Sequence, residues 1–235
     1  MPTDHSFPGR WTSAASMIGG PLLMLAGTLM RAPFPFFFPE QLAAVQRAPG
    51  LVIGGYTAFL AGNVLMWPAV VTLARRIGRT HRLWAAWGGV FVVVGLFERT
   101  FHAGMNQTAF RLVLRRGLDS ATAFVQDSYA DAHLFSYLSF TIMFGWYILA
   151  VGAYRSRVLG LTGSIALAAM GLVPLGVLKG TDVFTIAGAL GACVAFLPPG
   201  VRLLREGPAP SRRSILLSLL AALLVALLAY ASTLG

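Results

Sequence analysis

The chain of 235 residues is 57% hydrophobic and only 11% charged, where an ordinary soluble domain carries about a quarter charged residues. That composition excludes a soluble globular domain and predicts an all-α integral membrane protein that crosses the bilayer several times. The formal net charge of +10 requires no nucleic-acid partner. The basic residues stand in short turns between apolar runs, where the preference for positive charge on the cytoplasmic side accounts for them.

Seven spans are predicted in one transmembrane domain over 1–235: about 12–30, 51–74, 83–104, 131–154, 158–177, 183–204 and 215–234. The first run is read as a retained helix, because no small-x-small cleavage site follows it. In RAPFPFFFPEQLAAVQRAPG, the prolines at 33, 35 and 39 prevent a regular helix at its start. Phe34, Phe36, Phe37 and Phe38 are expected at the membrane interface or plugging a cavity mouth. In span two Tyr56, Asn63 and Trp67 lie near one another, and Pro68 is expected to kink the helix. Asn63, near mid-membrane, reads either as a substrate contact or as an interhelical hydrogen bond.

Span three, LWAAWGGVFVVVGLFERTFHAGM from Leu83 to Met105, organises the rest. Trp84, Trp87, Phe91, Gly95, Glu98 and His102 fall on one helical face. At ~1.5 Å per residue Glu98 stands about 22 Å into an apolar core ~30 Å thick. Ionisable groups at such depth are expensive and mark functional sites by default. After it, Phe110, Val113 and Leu114 against Arg111, Arg115 and Arg116 suggest a short interfacial helix between spans three and four. Asp127 and Asp131 are one helical turn apart, and Asp131 opens span four, with His133 and Tyr137 on another of its faces. The turn LKGTD joins spans five and six, and span seven is a Leu/Ala helix that only packs.

Seven spans with the N-terminus cytoplasmic and the C-terminus outside put eleven of the 18 basic residues inside, for net charges of +9 within and +1 without. That asymmetry follows the positive-inside preference. The same topology sends Glu98, Arg99, His102, Asp127, Asp131, His133, Lys179 and Asp182 to one half of the membrane. An acid kept neutral by apolar surroundings can donate a proton, which makes Glu98 a candidate general acid. His102, one turn on, can reset that proton, and Asp131 or Asp182 can supply a second acid or the base. Trp84, Trp87 and Phe91, with Tyr56, Asn63, Arg99 and Tyr137, are the candidate substrate-binding residues, and aromatic faces can hold a cationic intermediate. Each of these residues also has a structural reading, as packing, a solvated charge or an ion pair between helices. Zinc wants two or three histidines, a bis-histidine haem wants a pair, and only His102 and His133 lie near spans. Retinal wants a lysine deep in a helix, whereas Lys179 sits in a turn. No metal and no cofactor are expected. Cys193 is the single cysteine, so there is neither a disulfide framework nor a CxxC motif.

Seven short spans, acids buried near one end, as in GLFERTFHAG, and an aromatic-rich interior resemble the small membrane-bound terpene cyclases of bacterial indole-terpenoid and fungal meroterpenoid pathways. The likeness lies in the overall plan. It implies protonation of a terminal alkene or epoxide by Glu98, with Asp131 or Asp182 as its partner, and cyclisation in an aromatic pocket. The expected partners are the lipid bilayer and a hydrophobic small-molecule substrate, in a bacterial cytoplasmic membrane. A proton-coupled carrier and a non-catalytic membrane subunit are the rival readings. An enzyme should hold a closed apolar pocket lined by Trp87, Phe91 and Tyr137 and capped by Glu98. Oligomeric state is not legible.

Overall fold

The computed structural model describes residues 7–130, 134–206 and 209–232. Among them the fold is all-α, and six helices are long and apolar enough to cross a membrane. In chain order the elements are α1 (Arg10–Arg31), α2 (Phe38–Arg47), α3 (Pro49–Gly78), α4 (Arg82–Arg116) and α5 (Leu118–Ala130). They continue with α6 (Leu134–Arg155), α7 (Leu161–Ala168) running into a 3₁₀ turn (Ala169–Leu172), α8 (Val183–Arg205) and α9 (Arg212–Ala231). Residues up to Leu204 form one compact unit. The second unit, from Arg205, holds α9, a Leu/Ala helix capped by Ser211, whose Oγ accepts the Ser214 N–H at 3.1 Å.

Glycines set the packing of the first unit. Gly20 of α1 meets Met66 of α3, Gly27 meets Gly55 and Phe59, and Gly62 meets Met24. With the Ser13–Thr72 hydroxyl pair at 2.7 Å, these contacts make α1 and α3 antiparallel neighbours. In a bilayer the lipid is as apolar as the helices, so association depends on close van der Waals fit, which small residues permit. The α4–α6 seam repeats the device. Gly88 faces Leu149, Gly95 faces Ile142, Gly145 faces Val92 and Gly152 faces Trp84. Trp146 of α6 and Phe196 of α8, both fully buried, meet edge to face at 6.5 Å within the main core.

α4 has 35 residues, about 52 Å at 1.5 Å per residue, and so outruns an apolar layer of ~30 Å. Its last turns hold the residues expected in a short separate helix. Phe110 and Val113 are buried there, Leu114 is exposed, and α5 begins only after Gly117 at φ 90°. A second apolar cluster gathers at this end, from Leu42 and Val45 of α2, Val52 of α3, Phe110 of α4, Val125 of α5, and Leu178.

The predicted fifth span is not one long helix. α7 and its 3₁₀ turn stop at Leu172, and Val173 is extended, as the residue before Pro174 must be. Beyond Pro174 the backbone is irregular to Asp182, with positive φ at Gly176 (113°) and at Leu178 (53°). The whole stretch 158–182 begins at the end of α6, where the Val158 N–H donates to Ala153 O, and it finishes where Thr181 Oγ1 donates to Thr28 O of α1 at 2.7 Å. The start assigned to span four, Asp131, lies outside the described residues, as does His133.

A methyl group at Gly95 would fall inside van der Waals distance of Ile142 Cα and Cβ, whereas one at Gly104 would meet nothing within 4 Å. Gly95→Ala is expected to destabilise the fold by about 1–3 kcal/mol through overpacking. Gly104→Ala should be neutral or mildly stabilising through helix propensity. Thermal unfolding in detergent micelles reads both.

Candidate functional site

Irregular backbone inside an apolar bundle needs partners for its polar groups, since a buried carbonyl or N–H left unpaired costs about 1–3 kcal/mol. The residues that meet this need along 173–182 build the site. Arg99 of α4 donates from Nη2 to Val173 O at 3.0 Å and from Nη1 to Pro174 O at 3.3 Å. Arg31, at the end of α1, donates from Nη1 to Lys179 O and from Nε to Gly27 O, both at 3.0 Å. Tyr56 Oη of α3 lies 3.1 Å from both Gln41 Oε1 and Lys179 O. Asn106 Oδ1 accepts the N–H of Leu178 at 2.8 Å, which holds that residue in its left-handed conformation. The Gly180 N–H reaches Phe36 O at 2.8 Å, and Gln41 Nε2 donates to Pro35 O. Position 180 accepts only glycine without rearrangement, because a Cβ there would lie 2.6 Å from Gln41 Nε2 and 2.9 Å from Phe36 Cα.

Between this clamp and the helices lies a pocket whose walls include Arg31, Tyr56, Phe59, Asn63, Arg99, His102, Asn106, Lys179 and Thr185. Its cavity volume is about 60 Å³. At ~10–15 Å³ for each water, it holds a few waters or one small polar group, and no lipid tail. Arg31 lies over the rings of Tyr56 and Phe59, 4.4 and 5.0 Å from their centroids. Lys179 Nζ stands 5.7 and 6.0 Å from the ring centroids of Phe36 and Phe37. The phenylalanines after α1 therefore supply the flank of a cationic side chain.

Glu98 is fully buried on the face of α4 that meets α6. Its Oε1 is 3.0 Å from His102 Nδ1 and accepts from Ser139 Oγ at 3.0 Å. Its Oε2 is buried with no hydrogen-bond partner among the described residues. Glu98 does not line the pocket; His102 does, with 14% of its side chain exposed. Asn63 donates to Leu96 O at 3.0 Å and to Thr100 Oγ1 at 3.2 Å, and its Oδ1 is buried without a partner. Asn63 thus makes the interhelical bond expected of it and also stands in the pocket wall.

The structure brings together Glu98, Arg99, His102, Tyr56, Asn63 and Lys179, and separates the rest. Asp182 is half-buried and caps α8, its Oδ1 accepting from the Thr185 N–H at 2.7 Å and the Thr185 hydroxyl at 2.5 Å. Asp131 lies outside the described residues. Trp87 is 57% and Tyr137 75% exposed on the outside of the bundle. Phe91, half-buried, packs edge to face with Trp87, and Trp84 sits at the far end of α4 against Gly152 and Arg155. Much of the α4 face that carries the aromatic stripe is a seam with α6, closed by glycines on both helices. The pocket lies instead beside the adjacent face, where Arg99, Ala103 and Asn106 recur at helical spacing. Arg31, Asn106 and Thr185 were not among the expected site residues. The recurrence of polar residues after Arg99 was readable for Asn106; for Arg31, a basic residue ending a span, only the flank reading was available. Among the described residues, no three His, Cys, Asp or Glu side chains gather as for a metal ion.

No family model matches the chain, and no curated protein and no solved structure matches it.

Proposed function

We propose that the chain is a membrane-embedded enzyme acting by acid–base chemistry on a lipid-like substrate, with His102 transferring the proton and Glu98 positioning His102. The observation that carries this reading is the Glu98–His102 pair at 3.0 Å, buried on the carboxylate side and facing the pocket on the imidazole side. A carboxylate bonded to Nδ1 orients an imidazole and stabilises its protonated form, the division of labour in His–carboxylate hydrolases. This reading gives Glu98 a positioning role where the resemblance implied proton donation, and gives His102 the proton transfer where its spacing suggested only that it resets the proton. The 60 Å³ pocket suits the polar head of such a substrate, with its tail left in the surrounding lipid.

The narrower reading, an acid-initiated terpene cyclase, has less support. It needs free aromatic faces for a carbocation, and the rings in the pocket, Tyr56 and Phe59, already carry the Arg31 guanidinium.

We read the topology as seven crossings with the N-terminus cytoplasmic, counting 158–182 as a broken crossing and α9 as the seventh. The charge asymmetry supports this reading, as does the run of 158–182 from the α6 end to the Arg31 end. In a Cys193→Ala background, Arg79→Cys should react with a membrane-impermeant maleimide only after the membrane is opened, and Gln46→Cys in intact cells. The opposite pattern would invert the orientation, and reaction of both from one side would reject the crossing count.

Turnover can be followed by mass spectrometry of lipid extracts and of added prenylated, epoxidised and phosphorylated lipids, in membranes with and without the protein. A product made by wild type should fall by about 10²–10⁴-fold in His102→Asn, and it should also fall in Glu98→Gln. A product abolished by Glu98→Gln and retained by His102→Asn would return the proton-donor role to Glu98. Identical lipid profiles in all membranes would reject the enzyme reading for these substrates and favour a structural role for the cluster.

A further inference from the structure

The pocket wall carries three cations, Arg31, Arg99 and Lys179, and no carboxylate among the described residues. Arg31 is only 4% exposed. The hydrogen-bond acceptors of Arg31 and Arg99 are backbone carbonyls, which satisfy N–H groups but leave the charge intact. The neighbouring carboxylate, Glu98, is bonded to His102 and Ser139 and does not line the pocket. Arg99 Nε is buried and bonded to nothing among the described residues. Asp182 is engaged with its own helix start. A charge concentration of this kind in an apolar bundle is costly without a counterion.

We propose that this pocket binds a phosphate-type oxyanion, presented either as the phosphate head of a lipid or as free phosphate. A phosphate monoester carries about −1.5 to −2 charge and three strong acceptor oxygens, which suits a wall with three cationic residues better than a carboxylate with one charge. Arg99 Nε and Lys179 Nζ are the donors for it. Asn63 Oδ1, buried in the same wall without a partner, accepts from the protonated oxygen that a monoester retains part of the time near neutral pH. The cavity volume of about 60 Å³ suits a head group of that size. Identifying the bound anion as the head of the enzyme's own substrate rests on the catalytic reading above; the binding site itself rests on the cations.

The test is native mass spectrometry of the delipidated protein in detergent, titrated with phosphatidic acid, phosphatidylcholine, oleic acid and inorganic phosphate. Lys179→Gln is the informative variant, because the Lys179 carbonyl that Arg31 and Tyr56 hold is unchanged and the clamp survives; an unaltered thermal midpoint verifies the fold. Wild type should prefer phosphatidic acid over phosphatidylcholine and oleic acid by about tenfold or more. Lys179→Gln should lose about tenfold for phosphatidic acid, as expected for one charge-assisted bond, and Lys179→Arg should regain most of it. Competition by inorganic phosphate at millimolar levels would identify free phosphate as a ligand, and absence of competition would assign the site to lipid heads; both support the proposal. Equal binding of the three lipids, or an unchanged affinity in Lys179→Gln, would overturn it. Selective binding with no turnover in any membrane would sink the enzyme reading alone, and turnover without selective binding would sink this one alone.

Discussion

The structure turns on one constraint: ten residues of irregular backbone, Val173 to Asp182, run among apolar helices with few helical hydrogen bonds of their own. In a bilayer such backbone persists only where protein groups or a polar cavity satisfy it. Here the side-chain partners come from three separated helices. Arg31 closes α1, Tyr56 stands in the first turns of α3, held in turn by Gln41, and Arg99 and Asn106 sit one face apart from Glu98 on α4. Each donor or acceptor left over would cost about 1–3 kcal/mol, so these polar side chains are structural before they are anything else.

The proposed function draws on what this solution leaves unbalanced. Carbonyl oxygens are good acceptors for guanidinium groups, but they carry no charge to cancel. Arg31 and Arg99 therefore hold the backbone in place while accumulating positive potential in a small cavity, to which Lys179 adds its own. On the neighbouring side of α4, the glycine seam with α6 buries Glu98 and presses it against His102 and Ser139. His102 stands at the junction, bonded to the acid on one side and facing the cationic cavity on the other. A rigid frame around His102 is what the proposed proton transfer requires.

The long spans were legible because each is an apolar run of membrane length, and α1, α3, α6 and α8 begin and end within a few residues of the expected limits among the described residues. The fifth run was apolar too, and its hydropathy concealed the break. Pro174, Gly176 and Gly180 within LVPLGVLKG were the local signal that the helix stops. The side of α4 on which the pocket lies was not legible for a different reason. A stripe of Trp84, Trp87 and Phe91 above Glu98 looks like a pocket wall in one helix. Only the matching glycines of α6, Gly145 and Gly152, reveal that this face is a helix–helix seam. Arg31 was invisible as a site residue because a basic residue at a span end has an ordinary reading as a flank anchor, and only the tertiary fold buries it.

The central claim is that the 173–182 backbone is held by side chains of α1, α3 and α4, and amide hydrogen exchange in lipid nanodiscs tests it most directly. The Leu178 and Gly180 amides, bonded to Asn106 Oδ1 and Phe36 O, should exchange roughly 100-fold or more slowly than in an unstructured peptide. Asn106→Leu should release Leu178 first and leave the amides of α3 unchanged. Exchange of both amides at the unstructured rate in the wild-type protein would contradict the account.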